Sequence, residues 1–381
     1  MPIHAIVHIA DSDLWDEELG EANQDIITRA AVGFRFVLSH IARFASLQCN
    51  FGSNAIVCKH VFLRELMWAG PAPLLETLAL YFENCATSNT LPPEESQVYA
   101  RPLFHGINPR LRNLTLWGLP ANRETQPQLF QSLRTMELGL YIEELRASFD
   151  MFQYMLSFNP DLEVLELNFC GPSKTPAWPS VVEGNVVSLH KVNSLTLAGF
   201  DPRELCQLID LIRTPNLERL SLQFEASNPA PGGPTKYDDV LRHAAGQHPI
   251  YREPYFGRLS TLHLESVECS REALSMLLNA LDTLRRLELE VTAANVDLVH
   301  VLSERKKNNS SCPVLPVLDT LKLFHPSDET VTIPHLQNVL MIRASANCKL
   351  QTLLIHHDLV AACPYPLSYY AHTVDYIPYD D

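Results

Sequence analysis

Leu162-Glu163-Val164-Leu165-Glu166-Leu167 sets apolar residues at a spacing that recurs along the chain. The pattern is apolar-x-x-apolar-x-apolar. Before this copy it occurs as Leu75/Leu78/Leu80, Leu111/Leu114/Leu116 and Leu133/Met136/Leu138. After it come Val192/Leu195/Leu197, Leu217/Leu220/Leu222, Leu259/Leu262/Leu264, Leu284/Leu287/Leu289, Leu318/Leu321/Leu323 and Leu350/Leu353/Ile355. Phe44/Leu47/Cys49 is a degenerate early copy. The central position moves from Leu47 to Leu353 in ten steps, a mean period of (353 − 47)/10, about 31 residues, with single steps of 22 to 42.

Internal repetition at such a period is the mark of a solenoid, and this pattern is a long, irregular form of the leucine-rich repeat. The central residues of each copy form a short strand, with the leucines turned inward and the residues between them outward. Parallel strands need a crossover, most often a helix. Asp201-Pro202-Arg203-Glu204 supplies an N-cap with proline at the first helical position, followed by Leu205, Leu208, Ile209 and Ile212 at helical spacing. Ser270 caps a helix carrying Leu274, Leu277, Leu278 and Leu281. Thr292 begins another with Val296, Val299 and Leu302, and Phe149, Phe152, Met155 and Leu156 mark one more. The expected fold is an α/β leucine-rich-repeat solenoid, a horseshoe with parallel strands on the concave face and helices on the convex face.

Composition narrows the function. Hydrophobic residues make up 46% and charged residues 19%, which suits a packed chain rather than a disordered one. The net charge of −15 disfavours phosphate backbones and anionic membrane surfaces, so neither nucleic acid nor a membrane is an expected partner. No basic segment precedes the apolar start Met1–Ile9, so a secretory leader is not expected. The nine cysteines are odd in number and never in C-x-x-C spacing, which fits reduced thiols in a cytoplasmic or nuclear setting.

The division expected from the pattern has three parts. Residues 1–43 form an N-terminal strand and a capping helix over roughly 24–43, with Ile27, Phe34, Val37, Leu38 and Ile41 inward. Residues 44–363 form the solenoid, interrupted by proline-bearing insertions at 84–102 and 226–256. Residues 364–381, with five tyrosines and three prolines, form an acidic tail, expected first as a cap, with a mobile tail or an aromatic docking segment as the alternatives. A solenoid end needs such covering because it exposes strand edge and apolar surface.

Three stretches carry a family resemblance: Pro2-Ile3-His4-Ala5-Ile6-Val7-His8-Ile9, Leu38-Ser39-His40-Ile41-Ala42-Arg43-Phe44-Ala45-Ser46-Leu47, and Ala72-Pro73-Leu74-Leu75-Glu76-Thr77-Leu78-Ala79-Leu80. In their order the chain resembles the leucine-rich-repeat region of fungal, mushroom-type F-box-like proteins. That resemblance implies a substrate receptor of a cullin–RING ubiquitin ligase, with an F-box gripping a Skp-type adaptor and the repeats holding the target. The sequence departs from it at the F-box. The one Leu-Pro-x-Glu echo, Leu91-Pro92-Pro93-Glu94, continues with Glu95-Ser96-Gln97 where leucines belong. An adaptor is therefore expected only through an F-box outside this chain, whose start falls where repeats would follow one.

No catalytic, cofactor or metal motif is expected. His4 and His8 share one strand face without an acid or cysteine beside them, and His356-His357-Asp358 points successive residues to opposite faces. Gly232-Gly233-Pro234-Thr235-Lys236 lacks phosphate-loop spacing, and Cys170 falls at a turn position of the repeat that belongs to the core. Binding is instead expected along the outward strand positions. Tyr81, Trp117, Glu166, Arg219, His263, Arg286, Glu288, Lys322 and Phe324 are the residues expected to meet a protein target, because aromatic and arginine anchors dominate interfaces and charge supplies specificity. A free-standing binding scaffold is the alternative reading.

Overall fold

The computed structural model describes residues 2–9, 15–16, 21–22, 24–51, 56–82, 102–119, 127–140, 146–172, 186–224, 237–246, 255–292, 295–306, 309–325, 336–356, 359 and 366–377. It divides into two compact units, Met1–Lys191 and Val192–Asp381.

The first unit is a ladder of six parallel strands in sequence order: β1 (Ile3–Ile9), β2 (Phe44–Phe51), β3 (Thr77–Phe82), β4 (Asn113–Trp117), β5 (Thr135–Gly139) and β6 (Val164–Asn168). The register stacks the repeat leucines: Leu47 faces Leu78, Leu78 faces Leu114, Leu114 faces Met136 and Met136 faces Leu165. These five side chains are fully shielded from solvent. Each buried leucine contributes roughly 1.5–3 kcal/mol, so the stack is the main term in the unit's stability.

The second unit repeats the design with seven parallel strands: β7 (Ser194–Ala198), β8 (Arg219–Gln223), β9 (Thr261–Glu265), β10 (Arg286–Glu290), β11 (Thr320–Phe324), β12 (Leu350–His356) and β13 (Ala371–Ile377). Leu195, Leu220, Leu262, Leu287, Leu321 and Leu353 face one another in turn. Each unit is thus an α/β leucine-rich-repeat solenoid stack, as the pattern predicts.

The helices cross between strands. They are α1 (Gln24–Leu38), α2 (Ile56–Trp68) and α3 (Phe149–Ser157) in the first unit, with α4 (Pro202–Leu211), α5 (Asp238–Ala244), α6 (Arg271–Ala280) and α7 (Leu336–Ser345) in the second. Asp201 and Glu204 form a reciprocal capping box at α4, and the Ser148 and Ser270 hydroxyls cap α3 and α6. The segment predicted as a helix from Thr292 is a 3-10 helix, Val296–Ser303. The helix expected over 24–43 stops at Leu38 and resumes as a 3-10 turn at Ile41–Arg43. Arg35 of α1 grips the buried carboxylate of Glu65 in α2 with two bonds of 2.5 and 2.6 Å. Beneath it, Phe51 stacks on Phe82 at 4.2 Å and lies 5.2 Å from Phe62.

A left-handed residue follows several strands: Gly118, Leu140, Phe169, Gly199 and Ser266 all have φ between 48° and 68°. The N–H of the left-handed residue itself still reaches the neighbouring strand, as with Gly118 N to Gly139 O at 2.8 Å and Leu140 N to Asn168 O at 2.9 Å. Buried asparagines fasten the crossovers. Asn159 accepts from Leu133 N and donates to Phe130 O and Met155 O, and Asn295 accepts from Thr292 N while donating to Val267 O and Glu290 O. In α7, the fully buried Arg343 donates to Val314 O and Leu315 O, both at 2.8 Å.

The ladder exceeds the 44–363 stretch at both ends. Ile3–Ile9 pairs with β2 from the segment expected to form the N-terminal cap, and Ala371–Ile377 pairs with β12 from within the expected tail. The tail strand has no leucine signature because it is largely exposed, with only Ala371 fully buried. The insertions at 84–102 and 226–256 fall mostly outside the described residues, apart from α5 and its flanks. Residues 232–236, His357 and Asp358 also lie outside them.

Candidate functional site

Strand alternation leaves one sheet face in each unit with half-buried polar and aromatic side chains, while the opposite face fills the core. Two groups of side chains gather there, one per unit.

In the first unit, the register sets Tyr81 against Trp117, Trp117 against Gly139, and Glu137 against Glu166. The Tyr81 and Trp117 ring centres are 6.1 Å apart with planes at 48°. The indole lies close on Gly139: a Cβ there would meet Trp117 Cδ2 at 2.9 Å. Its Nε1–H donates to Glu137 Oε1 at 2.5 Å, and the Thr115 hydroxyl donates to Glu137 Oε2 at 3.0 Å. Burial, reinforced by the like charge of Glu137, pushes the Glu166 carboxyl above its ordinary range. Burial and the charges of Glu137 and Glu166 also push the Tyr81 phenol up, against a hydrogen bond with Thr115.

In the second unit, Ser221, His263, Glu288 and Lys322 stand in one register row across four strands. Arg286 Nε donates to Glu288 Oε1 at 2.6 Å, and Lys322 Nζ lies 3.4 Å from Glu288 Oε2. Burial opposes ionisation of Glu288, but Arg286, Lys322 and His263 together hold its carboxyl below the usual range. Lys322 sits 5.1 Å from the Phe324 ring centre, and His263 meets that ring edge-on at 5.5 Å. Burial lowers the His263 pKa against the attraction of Glu288 and Glu290. His263 Nε2 and Ser221 Oγ are both shielded from solvent without a hydrogen-bond partner. The imidazole nitrogen is nevertheless 3.7 Å from Glu265 Oε2, a contact too long for a hydrogen bond.

Eight of the nine expected residues therefore fall into these two groups. Arg219 stands apart, exposed at the strand start and in register with Thr261. The alternation places Glu137, Gly139 and Glu290 outward without giving them a role. Glu137 organises the aromatic pair, and Gly139 makes room for the indole. Glu290 is 7% exposed and accepts from the Ser266 backbone N–H and hydroxyl. No spacing rule reveals such contacts, because they depend on which residue the register brings alongside.

Cys49 and Cys170 are buried, and burial pushes both thiols up to about 12. Cys170 Sγ lies 2.9 Å from Leu138 O, a core placement. His4 and His8 are exposed on β1. Among the described residues, no group of three or more His, Cys, Asp or Glu side chains could hold a metal ion, and no helix is long and apolar enough to cross a membrane.

No protein-family model matches the chain, and no curated protein matches it. Thirty chains of solved structures do. One comes from the crystal structure of the mouse RP105/MD-1 complex, at 15% identity and a TM-score of 0.37, with 82% of this chain covered. The match spans 42% of that chain, less than half its length.

Proposed function

We propose that this chain is a protein-recognition module whose open strand faces grip a target, and that it does no chemistry of its own. The gathering of Tyr81, Trp117 and Glu166 on one face, and of His263, Arg286, Glu288, Lys322 and Phe324 on another, carries this reading. Rigid aromatic anchors beside fixed charges are what a specific protein interface uses. The finer reading makes the module the substrate-recognition part of an F-box-like ubiquitin-ligase receptor in the cytoplasm or nucleus. Its support is the order of the three quoted stretches and the lack of any C-x-x-C spacing among the nine cysteines. The alternative, a free-standing scaffold unrelated to ubiquitination, is favoured by the lack of an F-box pattern in the sequence.

Affinity capture with the full chain, followed by the Tyr81→Ala, Trp117→Ala double variant and by Phe324→Ala, tests the main reading. Loss of the captured target from one of these folded variants is the expected result. Recovery unchanged from all of them removes the open faces from consideration. Co-purification of a Skp-type adaptor separates the two finer readings.

A further inference from the structure

The two faces differ in how their carboxylates are balanced. In the second unit, Glu288 is already met by Arg286 and Lys322. In the first, Glu137 is held by two neutral donors, the Trp117 indole and the Thr115 hydroxyl, and its neighbour in register is another carboxylate, Glu166. Burial and that like charge both resist ionisation of Glu166. Next to this pair stand two aromatic rings at 6.1 Å, one of them pinned by Glu137 on its edge and by Gly139 against its ring. Ring faces attract cations, and the attraction strengthens where water is thinned out.

We infer that Tyr81, Trp117, Glu137 and Glu166 form a receptor for one lysine or arginine side chain of the protein partner. The inference rests on the protein-recognition reading above and adds the chemistry of the residue recognised. The incoming ammonium or guanidinium meets the aromatic pair and the two carboxylates together, and relieves the repulsion between Glu137 and Glu166. Its aliphatic stem packs along the rings. Little ordering is needed, because the indole and Glu137 already fix each other. A phosphorylated or acidic residue is rejected at this position, since it would face two negative groups. The chain's net charge of −15 favours a basic partner at longer range.

The test selects a phage-displayed library of random linear peptides on the full chain and counter-screens the binders on Trp117→Ala. Binders lost on that variant should share a lysine or arginine. A synthetic peptide of that set should weaken about tenfold or more when its basic residue becomes glutamine, and by a similar factor on the Glu137→Gln, Glu166→Gln protein. Trp117→Phe should bind better than Trp117→Ala, because it keeps a ring. Circular dichroism checks that each variant folds. Trp117-dependent peptides without a shared basic residue, or with affinity indifferent to the two glutamines, overturn the inference while leaving the recognition reading in place. A selection with no binder sensitive to Trp117→Ala also overturns it. If the binders are insensitive to Phe324→Ala as well, the recognition reading falls with it.

Discussion

Asn159 shows how much one polar side chain can hold in a leucine stack. It is fully buried and closes three hydrogen bonds to backbone groups around the β5 crossover. Asn159→Ala would leave a buried N–H and two carbonyls without partners, at a cost of about 2–4 kcal/mol in urea unfolding. Asn295 does the same work beside β10, yet the two are at different offsets from the repeat leucines. That is why neither was legible: the periodic pattern marks the apolar stack, and these brackets sit between its teeth. Glu166 yields a prediction of opposite sign. Burial and the neighbouring charge of Glu137 push its folded carboxyl above the ordinary range, so the folded state holds the proton more tightly than the unfolded one. The unfolded chain ionises first as pH rises, and stability falls from about pH 4.5 upward until the folded carboxyl has ionised. Glu166→Gln should raise the melting temperature at neutral pH and make no difference well below pH 4.5, as thermal scans across pH would record.

At the scale of elements, legibility followed the strength of the local signal. The strands were readable because three apolar positions at fixed spacing recur in nearly every copy, and the register aligned their central residues. α4 and α6 were readable from cap residues followed by leucines at helical spacing. α2 and α7 blur the apolar stripe by inversion: α2 buries Glu65 and exposes Trp68, and α7 buries Arg343 and exposes Met341. α5 hides within a proline-bearing insertion. The left-handed bends at Leu140, Phe169 and Ser266 were equally unreadable, since those residue types do not announce positive φ. The α4 cap offers a direct check. Asp201→Ala removes the carboxylate that accepts from the Glu204 N–H, leaves the residue-201 N–H free to donate to Glu204, and should cost about 1 kcal/mol, measured by denaturant unfolding.

Across the whole molecule, stability is built from neighbour-to-neighbour stacking inside each unit. Asn159 belongs to the first unit and Asn295 to the second, and they share no partner. The Asn159→Ala, Asn295→Ala double variant should therefore lose the sum of the single losses, within about 0.5 kcal/mol. The sequence marked the middle of both ladders and missed that their outermost strands, β1 and β13, continue the pairing, because strands stacked on one side only need fewer leucines. The all-parallel pairing has a kinetic consequence. Adjacent central residues such as Leu114 and Met136 pair in space only after the chain between them has closed a loop. No hairpin starts the ladder cheaply, so the entropy of many loops is spent before the stack repays it. Refolding should be slow and all at once within a unit, and a synthetic piece carrying β4 and β5 alone should show no strand signal by circular dichroism.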